Sequence, residues 1–310
     1  MQTLLIVNPA AGGGRAARAL DRVLEALAPL QPFDVFVTQP GEARPAERAA
    51  HDAVLAGAER ILVLGGDGSS SQALNGIYAA GGADALARVA LGLLPAGTGR
   101  DYARSVNVPR DPVMAARAVA RGAATRRVDV GVITLADGRT RLFLNVASFG
   151  VSAQIAHALE EYPQLKRRAG AVAFGLATVR AGIRYAPVET ELRVDTQAAQ
   201  RGPTAAVAIA NGGWFGGGMR VAPDARIDDG RLEVVRFGDL ARRDFLISLP
   251  RLYRGTHYTH PAVTHTQGAE VFAAPGAGVT RPIEIEADGE IVGALPARFS
   301  LLPAALTLLA

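Results

Sequence analysis

Short apolar runs, each closed by a glycine-rich turn and followed by a segment of helical spacing, set the rhythm of the first part of this chain. Thr3 to Val7 reads as a buried strand, and Asn8-Pro9-Ala10-Ala11-Gly12-Gly13-Gly14 follows it. Leu20, Val23, Leu24 and Leu27 then recur at the i, i+3, i+4, i+7 spacing of one buried helix face. Phe33 to Val37 is a second strand, ending in Thr38-Gln39-Pro40-Gly41, and Glu42 to Gly57 is an alanine-rich helix. Ile61 to Leu64 leads into Gly65-Gly66-Asp67-Gly68, with a helix from Ser69 to Tyr78. Ala90 to Leu94 leads into Pro95-Ala96-Gly97-Thr98-Gly99-Arg100-Asp101, and Asp111 to Arg121 is another helix. Strand alternating with helix predicts an α/β domain with a mostly parallel sheet and right-handed crossovers. The three glycine-rich turns then share the carboxyl edge of that sheet, where ligands bind.

From Thr125 the rhythm changes. Arg127 to Leu135, Arg141 to Phe149, Val188 to Val194, Ala205 to Ala210 and Arg231 to Phe237 read as strands, as do Ala269 to Ala273, Ile283 to Ala287 and Ala297 to Leu302. Helices are expected only over Val151 to Glu161, Ala169 to Gly182 and Asp239 to Arg254. This is the pattern of a largely antiparallel, β-rich domain. The expected division is therefore an α/β domain over residues 1–124 and a β-rich domain over residues 125–310, with the last strand free to return to the first domain. No long linker separates the halves, so the active site is expected in a cleft between them.

Composition narrows the function classes. The chain has 310 residues, 49% hydrophobic and 20% charged, which fits a folded globular protein rather than a disordered one. No apolar run reaches the roughly 18 residues of a membrane span. The opening MQTLLIVNP has neither the basic region nor the apolar length of a signal peptide. Cysteine is absent, which removes disulfide and thiol chemistry and fits the cytoplasm. The net charge of +4 rests almost wholly on arginine, Lys166 being the only lysine. These arginines are dispersed and aromatics are 5%, so no nucleic-acid partner is expected.

Gly65-Gly66-Asp67-Gly68 carries the first candidate chemistry. Glycines let a turn fold tightly and approach a ligand, and amides at a helix N-terminus make a concavity suited to phosphate. Asp67 is the odd member, because a carboxylate repels phosphate unless a cation or donor intervenes. The combination points to a metal-assisted nucleotide site; the competing reading is an ordinary strand-to-helix turn with Asp67 as a helix cap. Asp288-Gly289-Glu290 and Asp228-Asp229-Gly230 divide in the same way between chemistry and simple turns, since Asp-Gly is a strong turn signal.

Taken together, Asn8-Pro9 with its glycines, Gly65-Gly66-Asp67-Gly68-Ser69 and Leu94-Pro95-Ala96-Gly97-Thr98-Gly99 resemble the diacylglycerol kinase catalytic-domain family, which includes bacterial soluble lipid kinases and sphingosine kinases. Asn211-Gly212, Phe215-Gly216-Gly217-Gly218-Met219, Ala222-Pro223, Asp228-Asp229-Gly230 and Asp288-Gly289-Glu290 extend the resemblance, in order, over essentially the whole chain. It implies a fold like that of NAD kinases and diacylglycerol kinases, and transfer of the γ-phosphate of ATP to the hydroxyl of a diacylglycerol-like or long-chain lipid alcohol. By position, ATP would contact Asn8, Pro9, Ala10, Ala11, Gly12, Thr38, Gly66, Asp67, Gly68, Ser69, Ser70, Ser71, Gln72 and Thr98. Asp67 would sit by the phosphates and their Mg²⁺, Glu290 would be the general base, and Asp288 would belong to the catalytic group. Asp229, with backbone oxygens of Arg226 and Arg231, matches a structural Mg²⁺ site, while Asp101 and Asp129 match acidic positions linking these sites.

The chain departs from that pattern in three places. Ser69 stands where the family usually has Thr, Ser71-Gln72 where it has Asn-Glu, and Arg100 where it has Asn. Arg100 is able to grip phosphate or to obstruct the pocket. Two other functions therefore stay open: an NAD kinase-like small-molecule kinase, and a catalytically impaired regulator that binds lipid or nucleotide. His257, His260 and His265 lack cysteine and an evident fourth ligand for zinc, and read as packing or loop-capping residues. Lys166, Arg167 and Arg168 beside the apolar stretch Ala171 to Val179 read either as a solvated helix face or as a contact for anionic headgroups. A lipid substrate brings the protein reversibly to the inner face of the membrane, and an exposed sheet edge leaves a homodimer open.

Overall fold

A computed structural model describes residues 2–122, 124–161, 180–181, 185–239 and 249–309. Nearly all of the helix expected from Ala169 to Gly182 and most of that from Asp239 to Arg254 lie outside the described residues, as do Lys166, Arg167 and Arg168. The chain forms two compact units, Met1–Val130 with Leu302–Ala310, and Gly131–Leu301.

The first unit runs β1 (Thr3–Val7), α1 (Ala11–Leu27), β2 (Asp34–Val37), α2 (Pro45–Leu55), β3 (Arg60–Gly65), α3 (Asp67–Arg88), β4 (Ala90–Pro95), α4 (Asp101–Ser105) and α5 (Pro112–Ala120). Its strands lie in the order β2-β1-β3-β4 and every neighbouring pair is parallel. Leu5, Ile6, Leu62, Leu64, Leu91 and Leu94 are fully buried, as befits parallel strands covered on both faces, whose sequences read as continuous apolar runs. In this register Val7 lies opposite Leu64, and Gly65 opposite Pro95. Strands β1, β3 and β4 therefore end at one level, and the turns that follow them emerge side by side.

Strand β5 (Thr125–Leu135) leads from the first unit into the second. The second contains β6 (Thr140–Phe143), β7 (Val146–Gly150), α6 (Val151–Glu161), β8 (Val188–Val194), β9 (Gln200–Thr204), β10 (Ala206–Ala210), β11 (Leu232–Phe237), β12 (Val263–Gly268), β13 (Glu270–Pro275), β14 (Glu284–Ala287) and β15 (Glu290–Ala294). The final strand, β16 (Ala297–Leu309), begins there, pairing antiparallel with β13, and its last residues Thr307, Leu308 and Leu309 pair parallel with β4 of the first unit. One sheet of the second unit has the antiparallel order β12-β11-β10-β7-β14-β15. A single apolar core joins it to β13, β8 and the start of β16 through Phe149, Val207, Ile285, Leu192, Val271 and Phe299. The architecture is thus a parallel α/β unit and a largely antiparallel β unit.

One expected strand divides in two. Arg141 to Phe149 is not continuous: β6 pairs with β5, whereas β7 joins the other sheet between β10 and β14. The break lies at Leu144 and Asn145, whose amides, with that of Val146, bond to the Asp288 carboxylate instead of to a neighbouring strand. Three strands, β9, β12 and β15, carry no clear strand signal in the sequence, because each is short and polar or interrupted by glycine.

Candidate active site

Asn8 leaves β1 with its N–H donated to the Leu64 carbonyl, so the first turn is tied to the end of β3. Its side chain does two things: Oδ1 accepts the Ala10 N–H at 3.2 Å, and Nδ2 donates to the Ser69 hydroxyl at 3.1 Å. Pro9, Ala10, Ala11 and Gly12 complete the turn. Gly12 has φ +61°, and a Cβ there would stand 2.0 Å from the carbonyl oxygen of Ala96, so only glycine permits this approach of turn one to turn three. Turns two and three meet as closely: a Cβ on Gly97 would lie 2.6 Å from the Cα of Gly66. Arg15, which no motif in the sequence marks, clamps the assembly by donating to the carbonyls of Gly97 at 2.9 Å and Ala96 at 3.3 Å.

Helix α3 starts at Asp67, two residues earlier than Ser69, so Asp67 and Gly68 belong to its first turn and Gly66 is its N-cap. Ser69, Ser70 and Ser71 are buried there, and Gln72 is half-buried. Thr38 is buried at the end of β2 and donates its N–H to Val7, whereas Thr98 is exposed on turn three. The nucleotide-binding candidates of the first unit are thus brought to one sheet edge.

Asp67 bonds across turns. Its two carboxylate oxygens accept the N–H groups of Asp101 and Tyr102, each at 3.2 Å, capping α4 rather than its own helix. Burial pushes the Asp67 carboxyl above the usual range, while those two amides and the Arg104 charge pull against the rise. Arg104 itself pairs with buried Asp101 at 2.5 Å. Asp129, also buried, accepts the Ala304 N–H at 2.6 Å and so fastens the bend in β16. Arg100, one of the departures, N-caps α4 with φ +53° and donates to the Arg110 carbonyl at 3.1 Å. Burial first, then the charges of Arg15, Arg110 and Arg104, lower its pKa, the mark of several cations gathered near one place. A recess at this edge is lined by Gly65, Gly66, Asp67, Ser70, Pro95 and Arg100 among others.

In the second unit the Asp288-Gly289-Glu290 turn joins β14 to β15. Asp288 has φ +48°, and its carboxylate accepts the amides of Leu144 at 2.7 Å, Asn145 at 3.0 Å and Val146 at 3.2 Å. Asn145 is buried and continues the network: its side chain donates to the Trp214 carbonyl, and its own carbonyl accepts the Asn211 and Gly212 amides. The Asn211 side chain returns to the Leu144 carbonyl at 2.8 Å. Glu290 is the first residue of β15 and half-buried, opposite Ala287.

Glu286 is a site residue that the sequence pattern does not mark. Alternation in Ile283-Glu284-Ile285-Glu286 marks it as solvent-facing, yet it is buried, accepting the Ser148 hydroxyl at 2.6 Å and the Gly289 N–H at 2.5 Å. Burial raises its pKa to about 7. The register pairs Glu286 with Ser148, and a register that sequence alone does not give is what buries the acid.

Asp229 is exposed and its carboxylate accepts the Arg231 N–H at 3.0 Å across Gly230, which has φ +70°. Arg226 lies 3.7 Å from Asp228. The turn brings Arg226, Asp229 and Arg231 into one loop, and a carboxylate with backbone carbonyls is the hard-oxygen donor set that suits Mg²⁺. Of the histidines, His257 is buried, its Nε2–H donating to the Val221 carbonyl at 2.9 Å and its ring stacking on Phe237, and His260 Nδ1 accepts the Ala262 N–H. Both are packing and capping residues; His265 stands apart from them, 3.3 Å from Glu233.

Comparison with known proteins agrees with this arrangement. The family model described as the diacylglycerol kinase catalytic domain matches residues 2–133, and that of the YegS C-terminal NAD kinase beta sandwich-like domain matches residues 145–310. A "Diacylglycerol kinase" of Mycobacterium tuberculosis is 29% identical over 306 residues, 98% of this chain and 93% of that protein. A "Probable lipid kinase YegS-like" of Chromohalobacter salexigens is 37% identical over 188 residues, 61% of this chain and 57% of that one. A solved diacylglycerol kinase from Bacillus anthracis superposes with a TM-score of 0.72 at 22% identity, covering 99% of this chain and 96% of its own. An NAD kinase from Archaeoglobus fulgidus, solved in complex with ATP, reaches 0.52 at 13% identity, covering 100% and 94%. These last two likenesses concern the fold. With one family model spanning the glycine turns and the other the Asp-Gly-Glu hairpin, the chain belongs to the diacylglycerol kinase catalytic-domain family of lipid kinases.

Proposed function

We propose that the protein is an ATP-dependent kinase that phosphorylates the hydroxyl of a diacylglycerol-like or long-chain lipid alcohol. The observation that carries this reading is the close convergence of three glycine turns, sealed at Gly12 and Gly97, at the end of parallel strands. Backbone amides there can face phosphate oxygens without side chains in the way, and the cations Arg15 and Arg100 stand at the same edge. Phosphoryl transfer depends chiefly on such positioning and charge neutralisation. A bound Mg²⁺ would supply neutralisation of phosphate charge; Asp67 is the residue to hold it at the nucleotide, and Asp229 with the carbonyls of Arg226 and Arg231 the set to hold a structural ion. Glu290 would accept the proton of the acceptor hydroxyl, a poor nucleophile until deprotonated. Asp288 would fix the turn on which Glu290 is carried, through its three amide bonds.

A lipid acceptor requires contact with a membrane surface. Among the described residues no helix is long and apolar enough to cross one. Lys166, Arg167 and Arg168, outside the described residues, are the basic group proposed to meet anionic headgroups.

The test is incubation of the protein with labelled ATP and a panel of membrane lipids, with identification of any phosphorylated product. A labelled lipid phosphate supports the reading. Phosphorylation of NAD instead would assign the small-molecule alternative, and ATP binding without ADP release on any lipid would assign the impaired regulator.

A further inference from the structure

We propose that Asp224, Glu233 and His265 form a binding site for a divalent transition-metal ion of the zinc class, separate from the Asp229 loop. One carboxylate oxygen of Asp224, one of Glu233 and a ring nitrogen of His265 all lie within 4.8 Å of one another. Strand pairing creates most of this arrangement. Glu233 on β11 lies opposite Gln267 on β12, and His265 is two residues before Gln267, so Glu233 and His265 are diagonal neighbours on one sheet face.

A second observation, independent of the cluster, points to a ligand. Glu233 is 1% exposed, and one of its oxygens, Oε2, is buried with no hydrogen-bond partner among the described residues. Its other oxygen accepts the Tyr258 hydroxyl at 3.0 Å and faces His265 Nδ1 at 3.3 Å. A buried carboxylate oxygen left bare is costly, and a cation is the partner that removes the cost. Tyr258 has the character of a supporting residue: its hydroxyl donates to Glu233 and its ring stacks on His265 at 3.8 Å and 12°. Such outer partners orient metal ligands.

The donor set selects the metal. One imidazole nitrogen with two carboxylates favours Zn²⁺ over Mg²⁺, which prefers oxygen alone. Asp224 and His265 are exposed, so both have room to close on an ion held by the fixed Glu233. Zinc–ligand bonds of about 2.0–2.2 Å need only a modest contraction of the triangle.

Zn²⁺ titration of the full-length, chelator-treated protein by calorimetry, with a thermal melt in parallel, tests this. One equivalent should bind and raise the melting temperature, and a large excess of Mg²⁺ should not displace it. His265→Ala and Asp224→Asn, both at exposed positions, should abolish that binding, while Asp229→Ala keeps it. Tyr258→Phe should weaken it by about 10-fold. Co²⁺ substitution should give a visible absorption spectrum in the wild type that His265→Ala loses. Failure to bind one equivalent, or equal binding by His265→Ala, would overturn the proposal and leave a plain Glu233–His265 ion pair. Because the readout is metal binding, the result is independent of which lipid or nucleotide the protein uses.

Discussion

Ser148 donates its hydroxyl to Glu286 at 2.6 Å, between two buried side chains paired in register across β7 and β14. The same carboxyl receives Gly289 N–H, so a buried acid sits directly beneath the turn that carries Glu290. Its folded pKa of about 7 lies above the ordinary 4.5, chiefly through burial. A raised pKa means that the associated stability is fully present below pH 4.5 and is lost as pH climbs through 7. The interval from 4.5 to about 7 corresponds to about 3 kcal/mol. The wild type should therefore lose melting temperature between pH 5 and pH 8, and Glu286→Gln should flatten that fall. Parallel melting curves for the two proteins would remove Glu286 as the source.

Glu290→Gln keeps size and hydrogen bonding but removes the proposed base. Turnover on the lipid substrate should drop by about 10²–10⁴-fold with ATP affinity little changed. Near-wild-type turnover would take Glu290 out of the mechanism.

Asp288→Ala should behave differently, because three amides at the β6–β7 break lose their shared acceptor. A loss on the order of 3 kcal/mol of stability is expected, together with activity. Denaturant midpoints measured on both variants separate the cases: Glu290→Gln should hold its midpoint and Asp288→Ala should not.

Asp67 has two duties to tell apart, the cap on α4 and the proposed metal anchor. Asp67→Asn retains an oxygen for one of the amides of Asp101 and Tyr102 and should cost less stability than Asp67→Ala, which loses about 1–2 kcal/mol of capping. Both should weaken Mg²⁺-dependent nucleotide binding. Superimposable Mg²⁺ titrations of Asp67→Asn and wild type would reduce Asp67 to the cap alone.

The parallel unit was legible because its signals are local. An apolar run ending in glycines, as at Leu64-Gly65-Gly66 or Leu94-Pro95-Ala96-Gly97, states both the strand and its turn within a few residues. The second unit hid more. Arg141 to Phe149 looks like one strand because nothing nearby in sequence announces that Asp288 will take the amides at its middle. Glu286 looks exposed, since alternation reports one sheet face and knows nothing of what covers the other. Glu233 and His265 are 32 positions apart and meet only through a strand register, and Arg15 on α1 reaches the Gly97 carbonyl across 82 positions. Long-range acceptors and register are the common cause of these omissions.

Strand β16 has a consequence for biosynthesis. The first unit is discontinuous: its residues 1–130 need residues 302–310, and Thr307 to Leu309 supply the neighbour on the open side of β4. A ribosome adding about 5–20 residues each second takes roughly 10–30 s to make the intervening stretch. Throughout that interval the nascent parallel sheet presents β4 as a bare hydrogen-bonding rim, the kind of rim that recruits foreign strands. The first unit, although begun first, is thus finished last, and its vulnerable period ends only when residues 302–310 arrive to zip the rim shut.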